Sequence, residues 1–273
     1  MRLPLLLLAA AAAPLAAQIP ADLTAERASL IDWLAKAPVS PATVVALTPI
    51  SPDQTIVVGP ASADLPIPGF DSALVRMSKG LITLESKHGS EPVPQAGTLK
   101  YGTFLIAQAG SASRRSVLIY GAVRQPLKPE WYPYAPPLVF TVSLEKPDRS
   151  ETRTLLDFDG VEAPAALAGF VSLTVEGKPY RLRVYRFGGG DDEESSLEVY
   201  FQDATNDNGS YPAGRFVELK PVAGGRYQLD FNRARNPFCA YRTVYPCPIP
   251  WSGNLINAPI TAGERYVHAK AGG

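Results

Sequence analysis

Residues 229–250 of the 273-residue chain, LDFNRARNPFCAYRTVYPCPIP, hold the densest set of side chains able to do polar chemistry. Asp230, Asn232, Arg233 and Asn236 stand there beside four prolines and the chain's two cysteines, Cys239 and Cys247. Regular strands and helices do not call for this mixture. If the strand RYQLDF runs to Phe231, Asp230 and Asn232 point to one face, because strand side chains alternate. Arg233 and Asn236 then follow as the chain leaves the sheet. A carboxylate–guanidinium pair flanked by amides can bind an anion or sugar hydroxyls, since the guanidinium is a planar, bidentate donor. The same groups equally serve to satisfy the backbone of a proline-rich loop that is short of donors. Both readings stand at this point.

Familiar catalytic patterns are missing. The chain has no G-x-S-x-G, P-loop, G-x-G-x-x-G or H-E-x-x-H. His88, in a Lys-His-Gly-Ser turn, and His268, near the C-terminus, read as surface residues. No cofactor is expected, and the two cysteines match no common zinc spacing. Asp191, Asp192, Glu193 and Glu194 follow three glycines and read as a solvated loop. The segment 203–209, DATNDNG, departs from a calcium loop: Thr205 occupies a usual ligand position and the glycine comes one place late. It reads as a turn.

Charge and the N-terminus bound the setting. Lys and Arg total 26 and Asp and Glu total 26, so no net field draws nucleic acid or an anionic membrane. Residues 1–17 read as a signal peptide: Arg2, an apolar run over 3–13, then small residues before Gln18. That run is too short to span a bilayer. The mature chain is therefore expected to be exported, periplasmic or secreted, without a membrane anchor. In an oxidising compartment a close, isolated pair such as Cys239 and Cys247 is most simply a disulfide that pins its loop.

The elements that must carry these residues are mostly strands. One helix is expected, with Asp22 as its cap, Leu23, Leu30, Ile31 and Leu34 at helical spacing, and Pro38 as its end. From Thr43 onward, TVVALTPI, QTIVVG, ALVRM, LITLES, KYGTFLIAQ and RRSVLIYGAV are short β-branched runs between turn residues. Five prolines over 125–137 mark a junction, with Trp131, Tyr132 and Tyr134 packing it down. Beyond it, FVSLTVEGKPYRLRVYRF reads as a hairpin turning at Glu176-Gly177-Lys178. The fold class is thus mainly β. A β-sandwich-like N-terminal region with a leading helix spans 18–124, and a second antiparallel β domain spans 138–268.

The segments DATNDNGSYPAGRFVEL, LDFNRARNPFCAY and CPIP, then Asn254-Leu255 and Ala262-Gly263-Glu264, together resemble the bacterial family called domain of unknown function 1684. Its pattern reads D-x-T-x-G-x-x-T-Y-x-x-G-R-[FY]-L, then L-D-F-N-R-A-Y-N-P-P-C-A-[FY], C-P-L-P-P, N-R-L and A-G-E. Here Ser210 replaces threonine, Arg235 tyrosine and Phe238 the second proline, and Ile256 follows Asn254-Leu255. The resemblance implies a mostly β protein with no established activity. It extends the candidate ligand site from Asp230, Asn232, Arg233 and Asn236 to Arg215, Tyr241, Asn254 and Glu264. Three functions are compatible: binding of a small polar or anionic ligand, hydrolysis with Asp230 and Glu264 as an acid/base pair, or a purely structural envelope role.

Overall fold

A computed structural model describes residues 18–111, 114–188 and 195–266. The expected signal peptide, the acidic run 191–194 and His268 lie outside the described residues.

The helix Ala21–Lys36 follows Pro20, and no side chain caps its start. Asp22, expected as the cap, instead sits in the first turn and reaches across to Arg233. The helix stops where Pro38 dictates, with Ala37 extended at ψ 131°. Leu23 and Leu34 are buried and Ile31 is exposed, so the inward stripe is narrower than the sequence spacing suggests. At the C-terminal end, Arg124 donates to the Leu34 and Ala37 carbonyls at 2.7 and 2.8 Å. This satisfies acceptors that a helix end leaves open.

The N-terminal strands form two antiparallel-rich sheets packed face to face. One runs Val44–Ile50, Arg114–Tyr120, Phe104–Ser111, Leu99–Tyr101 in spatial order. The other runs Leu65–Pro66, Thr55–Gly59, Ala73–Ser78, Leu81–Ser86, Gly89–Pro92. Alternate residues such as Ile56, Val58, Val75, Met77, Ile82, Leu84, Ile106, Val117 and Ile119 meet in one core. The opposite face of the first sheet, with Val44, Leu118 and Tyr120, packs on Cys239 and Tyr245. The sandwich is therefore a wall for the cysteine loop.

The second β region is one long sheet, ordered Val139–Val142, Arg226–Asp230, Arg215–Val222, Ser196–Asp203, Lys178–Phe187, Glu162–Val175, Thr152–Leu156. The hairpin turn is two residues, Glu176 and Gly177, at φ 49° and 75°, and Lys178 is already paired with Val175. Positive φ at both positions suits the twist of the flanking strands. One sheet face buries Leu182, Val184, Val199, Phe201, Val217, Leu219 and Leu229. The other buries Tyr185, Phe187, Tyr200 and Phe216 under Trp251. Covered on both faces, Ser196–Asp203 is buried at nearly every position.

The proline-rich segment 125–137 is tied to the C-terminal segment through its backbone. Glu130–Trp131 pairs with Glu264–Arg265, and Tyr132 N–H donates to the Gly263 carbonyl at 2.9 Å.

Candidate functional site

The polar residues singled out in the sequence do not converge on one concavity. They divide among three structural tasks, and a cavity lies where the segments they hold come together.

Arg215 faces the aliphatic side of the sheet, directly opposite Phe201, and is wholly buried. Its Nη2 donates to Asp203 Oδ2 and to the Ile260 carbonyl, both at 2.8 Å. Its Nη1 donates to the carbonyls of Ala262 and Glu264 at 2.5 and 3.1 Å. Asp203 Oδ1 accepts from Thr205 N at 2.8 Å and from Ile260 N at 3.1 Å. The ion pair thus fastens the chain over 260–264 to the sheet. Gly263, at φ 74°, completes the approach; a Cβ there would stand 2.6 Å from the Phe231 carbonyl. Such an arginine is matched inside the fold and offers a ligand no open face.

Asp230, Asn232 and Arg233 hold the helix and the junction. The strand ends at Asp230 rather than Phe231, because the Asp230 carboxylate accepts the Asn232 N–H at 2.9 Å and caps the short 3-10 turn Phe231–Arg233. Asn232 then pairs with the Ala135 backbone, accepting its N–H at 2.8 Å and donating to its carbonyl at 3.1 Å. Arg233 lies 3.3 Å from Asp230 Oδ2 through Nε and forms ion pairs with Asp22 and Glu26 of the helix. Both Asp230 oxygens are therefore taken up by the turn and by Arg233.

Asn254 performs the same backbone mimicry elsewhere. The strands Lys178–Phe187 and Ser196–Asp203 pair from Phe187–Ser196 to Tyr185–Glu198, and two residues further the same register would set Arg183 opposite Tyr200. There the Asn254 side chain inserts. It accepts the Arg183 N–H at 2.8 Å and donates to the Arg183 and Tyr200 carbonyls, each at 3.0 Å. Its amide replaces the strand pairing that divergence removes.

Asn236 and Tyr241 are the members that reach a cavity, and Glu264 lies buried behind them. Glu264 accepts the Asn236 N–H at 2.7 Å and the Tyr241 hydroxyl. Burial pushes its carboxyl up to about 7, against the Tyr241 and Asn236 bonds and the charges of Arg215 and Arg235. Burial and the neighbouring Glu264 likewise hold the Tyr241 phenol well above its ordinary value. In front of them opens a cavity of about 500 Å³, lined by Leu30 and Trp33 of the helix, Phe158 and Asp159, and Arg235, Asn236, Phe238 and Tyr241. Burial and the adjacent Asp157 raise Asp159 to about 6. Behind Arg235, Glu198 is 2% exposed, and burial raises it to about 7. Another cavity, of about 550 Å³ and containing the Arg114–Glu162 ion pair, touches none of the residues singled out from sequence.

Sequence reasoning missed Trp33, Phe158, Asp159 and Arg235. The signals were faint: alternating acids in Asp157-Phe158-Asp159, a lone glutamate inside the apolar strand SLEVYFQ, and a second arginine two residues after Arg233.

Cys239 and Cys247 form a disulfide with Cα atoms 5.5 Å apart. The Tyr211 hydroxyl lies 3.4 Å from the Cys239 sulfur and 3.2 Å from that of Cys247. Cys239 sits between Phe238 and Tyr241 in the short turn that forms one cavity wall, so the bridge fixes that wall. Among the described residues, no three His, Cys, Asp or Glu side chains are grouped to hold a metal ion. Also among them, no helix is long and apolar enough to cross a membrane.

These features define a mainly β protein whose polar signature residues hold a helix, a proline-rich junction and a C-terminal segment against a long sheet. The chain belongs to the family described as protein of unknown function (DUF1684), whose pattern matches residues 128–265, half of its length. No curated protein matches it. Among solved structures, it is similar to an uncharacterized protein of Haloarcula marismortui determined by solution NMR. The two are 30% identical over 50% of this chain and 75% of the other, with a TM-score of 0.44.

Proposed function

We propose that this protein is exported and binds a small polar ligand in the cavity between the helix Ala21–Lys36 and the turn that follows Arg235. The observation that carries this reading is the composition of the cavity. Aromatic and aliphatic walls (Leu30, Trp33, Phe158, Phe238) surround a few convergent polar groups (Asp159, Arg235, Asn236, Tyr241). A volume of about 500 Å³ falls within the range of small-molecule sites. The disulfide supports residence in an oxidising compartment.

Within the DFNRA segment, the ligand-facing part is its end, Arg235 and Asn236. Asp230, Asn232 and Arg233 are engaged with the helix and the junction. Hydrolysis by Asp230 with Glu264 finds less support, since Arg233 pairs with the first while Asn236 and Tyr241 enclose the second. The test is a panel of metabolites screened by two-dimensional NMR against the oxidised mature chain. A ligand should shift the Trp33 indole and the Arg235 resonances together. A panel in which every hit leaves both unmoved would overturn the site assignment.

A further inference from the structure

Building on that cavity reading, we infer that the ligand is an organic amine bound as a cation, carried on an aromatic or aliphatic body. The buried polar atom of the lining that is left without a partner is an acceptor, Asn236 Oδ1. Arg235 is the one cationic side chain in the lining, and it is already engaged. Its guanidinium lies 3.7 Å from the centre of the Phe158 ring and donates to Glu198 Oε1 at 3.3 Å.

Acceptors remain unmatched around it. Asn236, 3% exposed and part of the cavity wall, spends Nδ2 on the Arg265 carbonyl at 3.0 Å, and its Oδ1 is buried without a partner. Glu198 Oε2 is likewise buried without one. Asp159 lines the cavity with Asp157 beside it, its Oδ1 taking the Val161 N–H at 2.9 Å. Asp157, Asp159, Glu198 and Glu264 all have raised carboxyls for the same leading reason, desolvation, with Arg235 the shared counter-charge. A cation held beside Asp159, the one of these acids that lines the cavity, would favour its ionised form.

An anion would meet the Asp159 carboxyl and an arginine whose charge Glu198 already shares. A neutral apolar molecule would fill the walls and leave the acceptors unmet. An ammonium brings up to three N–H donors with its charge. Trp33 in the lining can add cation–π attraction for it, and the bulk of Trp33, Phe158 and Phe238 accepts the apolar body.

Three probes with one body and different charge separate the alternatives: 2-phenylethylamine, 2-phenylethanol and phenylacetate, titrated by calorimetry into the oxidised mature chain near neutral pH. The amine is expected to bind at least about tenfold tighter than the other two, with Asp159→Asn removing most of that preference. Phenylacetate binding as tightly as the amine would overturn the cationic class while leaving the cavity reading intact. Failure of all three at millimolar concentration, with no shift at Trp33, would overturn both. If circular dichroism shows that Asp159→Asn disturbs the fold, the order of the three probes on the unmodified protein decides alone.

Discussion

Glu264→Gln measures what the buried carboxyl behind the cavity contributes to folding. In the folded chain Glu264 is raised from its ordinary 4.5 to about 7, first by burial. Below about pH 4.5 the group is protonated whether the chain is folded or not, and the fold carries no charge penalty. Between 4.5 and about 7 the unfolded chain releases the proton while the folded chain keeps it, so stability is lost as pH rises. Above about 7 the loss is complete. At about 1.4 kcal/mol for each tenfold change in proton affinity, the full loss is on the order of 3 kcal/mol. Glutamine keeps an acceptor for the Asn236 N–H and cannot ionise, so the variant escapes the loss. Urea denaturation of both oxidised proteins from about pH 4.5 to about pH 8 gives the comparison. The unmodified protein still slopes for its other raised carboxyls, Glu198 and Asp159, so the informative quantity is the difference between the curves. That difference should grow in favour of the variant by a few kcal/mol across the window. A difference that stays flat would refute the reasoning, because a carboxyl ionising near 4.5 in the fold leaves no pH-dependent gap.

Other perturbations follow from the same geometry. Asp203→Asn strands a wholly buried guanidinium and should cost about 3–5 kcal/mol in urea denaturation, the range for breaking one side of a buried pair. Asn254→Ala leaves the Arg183 and Tyr200 backbone groups without partners where two strands diverge. It should cost about 2–4 kcal/mol, with hydrogen exchange fastest near Arg183. The oxidised protein should show no free thiol before reduction. Replacing both cysteines by serine should lower stability by about 2–3 kcal/mol, the entropy of so short a closed loop.

Most of the fold was legible because strand signals are local. Alternation in TVVALTPI or ALVRM, and a turn at Glu176-Gly177-Lys178 between β-branched runs, need no distant partner to be read, although Lys178 proves to be already in the strand. The helix was legible in extent and not in attachment. Its end follows from Pro38, a covalent constraint, whereas Asp22 could be assigned as a cap only while the partner it meets, Arg233, was unknown. The break at Asp230 escaped for a related reason. RYQLDF alternates as a strand should, and only the Asp230 carboxylate turning onto the Asn232 N–H converts the last step into a 3-10 turn. The cavity was the least legible feature. Trp33, Asp159 and Arg235 belong to segments far apart in the chain, and no spacing in the sequence brings them together.

The distinction between holding the site and touching the ligand gives the cavity a sharper test than any single binding constant. Arg233 binds Asp22 and Glu26, so it positions the helix that supplies Leu30 and Trp33, yet it does not line the cavity. Arg233→Ala should let the helix shift and weaken the amine, alcohol and acid probes by similar factors, because all three share the aromatic wall. Limited proteolysis should then cut within Ala21–Lys36 faster than in the unmodified protein. Asp159→Asn should weaken the amine more than the alcohol or the acid. If Arg233→Ala instead abolished only the binding of the acid, Arg233 would be an anion receptor. In that case its ion pairs with the helix would have to open for the ligand.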